Sequence, residues 1–211
     1  MTAVAARRAL ISDFGGVLTT PLQQGFLAYQ DESGVSLERL GKAMAQAAAE
    51  DGENPLFALE RGEISDAEFR RRVEAHLDKG FDLARLQSLY FEHIEPNPAM
   101  IAFIREVRKD GLRTALLTNN VREWESRWRS KLPEIDELFE VVVDSAFVGM
   151  RKPDPAIYEL TVERLGVRAS ECVFVDDLEI NCRAARDLGM ATVRFEGSDQ
   201  AIAELRAALA E

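Results

Sequence analysis

Short apolar runs alternate with helical patterns along much of this chain. Runs of about five mostly apolar residues predict buried strands in five places: 9–12, 112–117, 139–143, 172–175 and 191–195. Between the later runs, apolar positions three or four residues apart predict helices, two of which end at Gly166 and Gly189. Strands that alternate with helices predict an α/β fold, in which a parallel sheet of about five strands carries helices on both faces.

The segment between the first two predicted strands has a different pattern. From about residue 22 to residue 91 there is no convincing strand pattern, and apolar positions recur at helical spacing. Residue types that favour helix N-termini stand where these helical patterns begin, at Ser36, Pro55, Ser65 and Asp82. Pro96-Asn97-Pro98 follows and predicts a turn or hinge. The sequence therefore predicts a helical block inserted after the first strand.

Net charge and cysteine content limit the classes of binding partner and the cellular compartment that we expect for this chain. The 211 residues include 26 Lys and Arg against 37 Asp and Glu, a formal net charge of −11. This argues against a nucleic acid or an anionic membrane as the main partner, although one local pocket can still bind a small anion. No apolar run has the length of a signal peptide or a membrane span. Cys172 and Cys182 form neither a disulfide framework nor a metal-ligand spacing, so a reducing cytoplasm is the simplest setting.

Asp13 is the first candidate for chemistry, because a carboxylate at the end of a buried strand is in a costly place. Gly15 and Gly16 follow it, and glycines let the backbone turn sharply and approach a ligand. One hypothesis is that Asp13 is a nucleophile and that the amides after it receive an oxyanion. The alternative is that Asp13 only caps a turn, as aspartate often does.

Other polar residues follow the later strands. Thr118 and Asn119 end the second strand, Lys152 follows the third, and Asp176 and Asp177 end the fourth. Ligands of parallel sheets bind at the carboxyl ends of the strands, so these side chains are expected to share a crevice with Asp13. Carboxylates suit Mg²⁺, and a lysine with a threonine hydroxyl suits a phosphate. Taken singly, each residue has an ordinary alternative as a helix cap or a surface lysine.

These segments resemble the four motifs of the haloacid dehalogenase-like hydrolase superfamily. The matching segments are DFGGV at 13–17, LTN at 117–119, KPDP at 152–155 and VDD at 175–177. Within the superfamily, the chain most resembles the phosphatase-like domains related to the N-terminal half of soluble epoxide hydrolases. The resemblance implies a Rossmann-like core domain of residues 1–17 and 97–211, with residues 18–96 inserted as a helical cap domain. A receiver domain of bacterial signalling is an alternative, because it also combines an acidic pair, a phosphorylated aspartate, a threonine and a lysine on a parallel sheet. Its acidic pair precedes the phosphorylated aspartate, whereas the pair comes last in this chain, which argues against that alternative.

The resemblance also implies a role for each motif residue in hydrolysing a small phosphorylated metabolite. Asp13 would attack phosphorus, and the phosphoryl oxygens would be held by Thr118 and Lys152 and by the amides near Phe14, Gly15 and Asn119. Mg²⁺ would be held by Asp13, the backbone carbonyl of Gly15 and Asp177, with Asp176 supporting it directly or through water. The cap would close over the site, exclude water and select the substrate.

Gly15 breaks the pattern, because most phosphatases of the superfamily have a second aspartate there. That aspartate protonates the leaving alkoxide, and such help is worth about 10²–10⁴-fold. A phosphatase could instead use water, the substrate or a cap residue, of which Glu32, His76 and His93 are candidates. A phosphonatase would need a cap lysine, Lys42 or Lys79.

Two further readings of Gly15 remain open. A dehalogenase also lacks the second aspartate, but it needs no Mg²⁺ and typically lacks the Asp176-Asp177 pair. The glycine at position 15 would also fit a phosphate-binding or regulatory protein that has lost turnover.

Trp124 and Trp128 are four residues apart in a polar helix predicted over about 121–131. Their spacing predicts a packing stripe rather than a ligand site. We also expect this helix to be exposed, which leaves room for a homodimer as well as a monomer.

Overall fold

The strands form one parallel sheet in the computed structural model, which describes residues 6–33, 36–77 and 81–211. Within these residues the strands are β1 Ala9–Ser12, β2 Arg113–Thr118, β3 Val141–Asp144, β4 Cys172–Asp176 and β5 Ala191–Arg194. Their order is β3-β2-β1-β4-β5, so β1 is central, and each neighbouring pair is parallel. The predicted Rossmann-like α/β sheet is confirmed.

The described residues between β1 and β2 form helices. These are α1 Leu22–Ser33, α2 Leu37–Asp51, α3 Pro55–Glu60, α4 Asp66–Glu74 and α5 Leu83–His93. The expected N-terminal residues begin four of them: Ser36, Ser65 and Asp82 each accept a backbone N–H of the first turn, and Pro55 is the first residue of α3. Lys79 lies outside the described residues.

The other helices connect or follow the later strands. They are α6 Pro98–Lys109, α7 Glu125–Lys131, α8 Ile135–Leu138, α9 Ser145–Val148, α10 Pro155–Leu165, α11 Glu179–Asp187 and α12 Ser198–Leu209. The predicted third strand began at Phe139, but β3 begins at Val141, because the turn after α8 buries the Phe139 side chain in the core. Gly197 is the N-cap of α12, and the Ser198 hydroxyl hydrogen-bonds to the Asn97 side chain.

Alternate residues of the central strand face two separate apolar layers, as the two-residue period of a strand requires. Leu10 packs in a layer that includes Ile104 of α6 and Leu205 of α12. Ile11 packs on the opposite face with Ile157 of α10. Helices therefore cover both faces of the sheet, and only its edges and strand ends can hold polar chemistry.

The inserted helices have an apolar cluster of their own and join the core through two adjacent chain segments. The cluster consists of Tyr29, Ala43, Val73, Leu83, Leu86 and Leu89. At the junction, the Thr20 N–H donates to Glu95 O over 2.9 Å, and the Asn97 N–H donates to Leu18 O over 2.7 Å. Leu18 in turn donates its N–H to Phe14 O over 2.9 Å. The junction is thus tied directly to the loop that follows β1.

The two tryptophans form a packing stripe, as their spacing predicted, but the helix that carries them does not expose them. Trp128 is buried, with its ring 5.1 Å from that of Phe14. Trp124 precedes α7 in a short 3₁₀ turn and packs edge-on against Phe91 at 5.5 Å. The segment keeps exposed polar positions, such as Ser126 and Ser130, whereas both indoles pack between the sheet and the inserted helices.

Both cysteines are buried and free, as their sequence context indicated. Among the helices of the described residues, we find none whose length and apolar character would let it cross a bilayer.

Two helical glycines should respond to alanine in opposite directions. A Cβ at Gly25 of α1 would lie 2.7 Å from Tyr90 Cα of α5, so Gly25→Ala should destabilise by about 1–3 kcal/mol through overpacking. A Cβ at Gly41 of α2 would meet nothing within 4 Å, so Gly41→Ala should stabilise by about 0.5–1 kcal/mol through helix propensity. Urea denaturation of both variants checks this, and a destabilised Gly41→Ala or an unaffected Gly25→Ala would contradict the packing described.

Candidate active site

The carboxyl ends of β1 and β4 place Asp13 and Asp176 on adjacent strands. Asp13 follows β1 directly, and its N–H donates to Val175 O of β4 over 2.9 Å. Asp176 is the last residue of β4 and is fully buried. Parallel neighbours end at the same edge of a sheet, which is why two residues so far apart in sequence are neighbours here.

Lys152 lies between these two carboxylates. Its Nζ donates to Asp13 Oδ1 over 2.7 Å and to Asp176 Oδ2 over 2.6 Å, and the residue is only 2% exposed. Lys152 is therefore no surface lysine, and Asp13 does more than cap a turn. A buried ion pair persists only where its remaining hydrogen bonds are also made.

Asp176 receives those further hydrogen bonds from its own side of the site. Asn181 Nδ2 donates to both carboxylate oxygens, over 3.0 and 3.1 Å, and the Leu178 N–H donates to Oδ1 over 2.8 Å. The bond to Leu178 shapes the turn before α11, but Leu178 is the N-cap of that helix and no side chain caps it, so Asp176 is not a helix cap. The side chain is consequently fixed in one orientation.

Three carboxylates share this edge of the sheet with one lysine. One oxygen from each of Asp13, Asp176 and Asp177 can lie within 4.8 Å of the others. Burial raises the pKa of Asp13 to about 7, although the positive charge of Lys152 lowers it. The charges of Asp176 and Asp177 also raise it. Burial likewise raises the pKa of Asp177, helped by Asp176. The cluster has an excess of negative charge, which a divalent cation would relieve.

The donor set fits Mg²⁺ by its chemistry, since it consists of hard carboxylate oxygens on a rigid edge. Gly16 makes room for one of these carboxylates. It has a φ of +83°, and a Cβ there would lie 2.6 Å from Asp177 Oδ2. Glycine at position 16 is therefore required both by the backbone conformation and by the close approach of Asp177.

Thr118 and Asn119 come to the same edge at the end of β2. The Thr118 side chain is buried, and its hydroxyl has no hydrogen-bond partner in the part of the chain that the structure describes. The Asn119 side chain pairs with the Lys152 backbone, accepting its N–H over 2.8 Å and donating to its carbonyl over 3.0 Å. No sequence pattern indicates this bidentate pairing, which fixes the segment that carries Lys152.

Phe14 and Gly15 form the loop between Asp13 and Gly16. The Phe14 ring points into the core against Trp128, so only its backbone faces the site. Within the described ranges, the N–H groups of Phe14 and Gly15 donate to no protein acceptor. A Cβ built on Gly15 meets nothing within 4 Å, so a side chain would fit there.

The polar groups of the inserted helices that the sequence singled out do not bond to these residues. Glu32 pairs with Arg85, His76 Nε2 lies 3.4 Å from Glu50 Oε2, and Lys42 pairs with Glu38 over 2.7 Å. His93 Nδ1 makes a 2.9 Å hydrogen bond with the Leu89 carbonyl. Each of them has a local structural role.

A different group of the insert reaches the core beside the site. Glu60, at the end of α3, accepts a 2.6 Å hydrogen bond from Arg151 Nε, one residue before Lys152. The Arg151 guanidinium also lies 4.0 Å from the centre of the Phe57 ring. Burial raises the pKa of Glu60, and Arg151 opposes that shift. Sequence reasoning missed this contact, because neither partner belongs to a recognisable motif.

Alanine at position 16 should perturb Asp177, whereas alanine at position 15 should not. In Gly16→Ala the new Cβ displaces Asp177, and the left-handed backbone adds roughly 1–2 kcal/mol of strain, so stability and Mg²⁺ affinity should both fall. Gly15→Ala has open space and should keep its stability within about 0.5 kcal/mol of wild type. Thermal unfolding and calorimetric Mg²⁺ titration check this, and equal behaviour of the two variants would contradict it.

Metal-free protein should lose stability as pH rises through about 7. The pKa of Asp13 is raised above its ordinary value of 3.8, so its contribution to stability is complete below about pH 3.8 and is lost as pH rises through about 7. Asp13→Asn has no such carboxyl, so its unfolding free energy should fall less over this range. Urea denaturation at several pH values measures both proteins. A constant difference between their unfolding free energies would show that Asp13 does not titrate in this way.

The chain resembles known proteins along most of its length. The family model described as haloacid dehalogenase-like hydrolase matches residues 2–189. Acyl-CoA dehydrogenase family member 10 of Mus musculus is 31% identical over 208 residues, which are 96% of this chain and 19% of that protein. Bifunctional epoxide hydrolase 2 of Sus scrofa is 29% identical over 216 residues, 95% of this chain and 38% of that protein. The chain thus spans less than two fifths of either relative.

Two further proteins match over nearly their whole length. Sesquiterpene phosphatase astK of Aspergillus oryzae is 28% identical over 209 residues, which cover 94% of this chain and 95% of that protein. A HAD family enzyme of Bacteroides thetaiotaomicron, solved in complex with magnesium and inorganic phosphate, shares the fold with a TM-score of 0.64 and 23% identity, over 90% of this chain and 94% of that one. With the family model covering most of its residues, the chain belongs to the haloacid dehalogenase-like hydrolases.

Proposed function

We propose that the chain is a Mg²⁺-dependent phosphatase that hydrolyses a small phosphomonoester through an aspartyl phosphate on Asp13. The observation that carries the proposal is the buried contact of Lys152 with Asp13 and Asp176, with Asp177 alongside. This arrangement holds a carboxylate nucleophile next to a cation and to further oxygen donors. Aspartate nucleophiles of this kind are established in phosphoryl transfer.

The side chains of the site would divide the work between holding the phosphate and attacking it. Asp13 attacks phosphorus, the bond from phosphorus to the ester oxygen breaks, and that oxygen leaves as an alcohol with a proton from water, from the substrate or from a cap residue. Lys152 and the Thr118 hydroxyl hold the phosphoryl oxygens, together with the N–H groups of Phe14, Gly15 and Asn119. Mg²⁺ would be held by Asp13, the Gly15 carbonyl and Asp177, with support from Asp176, and when bound it would neutralise phosphate charge. Water then attacks phosphorus, and the electron pair of the Asp13–phosphorus bond returns to the carboxylate.

Residues 18–96 would act as a cap domain over this site. Their separate apolar cluster and narrow junction with the core support a unit that can move as a whole. The Glu60–Arg151 contact would fasten its far end beside Lys152 when it is closed. The substrate would be a small phosphorylated metabolite, the enzyme would work in the cytoplasm, and a monomer or a homodimer would serve equally.

The other readings of Gly15 have weaker support. A phosphonatase needs a free cap lysine, whereas Lys42 is mostly exposed and paired with Glu38. A dehalogenase would not need Asp177 beside Asp176 and Asp13. A phosphate-binding protein with little turnover remains the second candidate, because the absence of a side chain at Gly15 favours it.

A screen of phosphomonoesters with and without Mg²⁺ separates these two functions. We expect Mg²⁺-dependent turnover by the wild type and none by Asp13→Asn, because the amide is a poor nucleophile. Retained phosphate or Mg²⁺ binding with no turnover of any ester would instead identify a binding protein.

Gly15→Asp should raise the rate if only proton transfer limits it. The new side chain has room, and general acid–base help is worth about 10²–10⁴-fold. Steady-state kinetics on alkyl phosphates measures the gain. An unchanged rate in a folded variant would mean that another residue already supplies the proton.

A further inference from the structure

An ion pair joins the far end of the inserted helices to the segment that carries Lys152. Arg151 Nε donates to Glu60 Oε2 over 2.6 Å, and the two side chains are only 18% and 14% exposed. An exposed ion pair contributes little to stability, whereas breaking a buried one leaves a charge without compensation. The burial of this pair therefore makes the contact between the insert and the core depend on both partners.

The Arg151 guanidinium is also held on its flat face. It lies 4.0 Å from the centre of the Phe57 ring, which belongs to the same helix, α3, as Glu60. A guanidinium that stacks on an aromatic ring and donates a hydrogen bond from its edge is fixed in both position and orientation. Helix α3 thus holds Arg151 by its shape as well as by its charge.

The chain after α3 makes further contacts with the core. Gly62 has a φ of +68°, and a Cβ there would overlap the carbonyl oxygen of Ala146 in α9. Arg122 Nη2 donates to that same carbonyl oxygen over 2.6 Å. At the start of α4, the Asp66 N–H donates to Glu123 Oε1 over 3.1 Å. This end of the insert is therefore seated on the core without a gap.

On the core side, Arg151 belongs to the segment that positions Lys152. The Arg151 carbonyl accepts the Asp154 N–H over 2.9 Å, and the Asn119 side chain pairs with the Lys152 backbone. From there the Lys152 side chain reaches Asp13, with 2.7 Å between Nζ and Oδ1. Because the backbone of this segment is already hydrogen-bonded, it has little freedom to absorb a displacement of Arg151.

We propose that Arg151 is a positioning residue through which the seating of the insert sets the position of Lys152, with residues 57–62 acting as a latch. The proposal rests on the phosphatase function given above. With the latch engaged, Lys152 is held in place for the phosphoryl group, and with the latch released, phosphate affinity and turnover fall together. Such coupling is reciprocal, so bound phosphate favours the engaged latch.

The competing explanation is a purely structural contact that holds the insert on the core without affecting Lys152. Its loss would lower the free energy of unfolding, but the folded protein would bind phosphate and turn over substrate as before. Phosphate affinity and kcat of folded protein therefore separate the two explanations, whereas stability alone does not.

Glu60→Gln breaks the ion pair with little change in shape. We expect its kcat on p-nitrophenyl phosphate with Mg²⁺ to fall by about 10- to 10²-fold, because a small displacement of a group that holds the substrate is costly. The calorimetric dissociation constant of inorganic phosphate should rise in parallel. Arg151→Gln should behave alike, and the double variant should lose no more than either single variant, since all three lack the same link.

Glu63→Gln is the matched control, because Glu63 pairs with Arg61 over 2.7 Å within the insert and this pair does not cross to the core. Its kcat and its phosphate affinity should equal those of wild type. Circular dichroism establishes that each variant is folded.

Hydrogen exchange of the peptide that contains residues 57–62 measures the reciprocal effect without turnover. Mg²⁺ with inorganic phosphate should slow this exchange in wild type and in Glu63→Gln, and should change it far less in Glu60→Gln. The measurement on wild type tests the coupling even where a latch variant does not fold.

Three results would overturn the coupling. They are wild-type kcat and phosphate affinity in folded Glu60→Gln and Arg151→Gln, additive losses in the double variant, and exchange of residues 57–62 in wild type that phosphate does not change. A wild type that binds phosphate and slows this exchange, but hydrolyses no phosphomonoester, overturns the phosphatase function and retains the coupling. A wild type that binds no phosphate overturns both.

Discussion

Lys152 brings its charge into the interior of the fold, where its Nζ contacts Asp13 and Asp176 at 2.7 and 2.6 Å. A lone charge in that place would be costly, and the contact stands only because each partner is held in turn. Asn181 fixes Asp176, and Asn119 fixes the Lys152 backbone. Asp177 adds a further carboxylate, so the cluster remains negative overall. A rigid, negatively charged cradle is suited to a divalent cation and, through it, to a phosphate.

The inserted helices contact the core at two places with different chemistry. Near the junction, the ring of Tyr90 packs against that of Trp124. At the far end, Glu60 forms an ion pair with Arg151. The two contacts lie on separate helices of the insert, α5 and α3. Packing and polar recognition are thereby divided between different helices.

Much of the fold and the convergence of the site followed from sequence pattern, because strand period and strand-end position are local properties. Asp13, Thr118, Lys152 and Asp176 could be grouped since parallel strands end at one edge. The contacts of Tyr90 and Glu60 could not be predicted, because they depend on how a helix rotates in tertiary packing. The burial of Trp128 agrees with the packing stripe that its spacing predicted, since a polar helix can still bury one aromatic face.

Trapping the covalent intermediate tests the central claim most directly. The enzyme would be quenched during turnover of a phosphomonoester with Mg²⁺, reduced with borohydride and mapped by peptide mass spectrometry. The account predicts that the carboxyl of Asp13 is reduced to the alcohol, as an aspartyl phosphate would be, and that no other aspartate is. Reduction at Asp176 or Asp177, or turnover with no reducible aspartate at all, would contradict it.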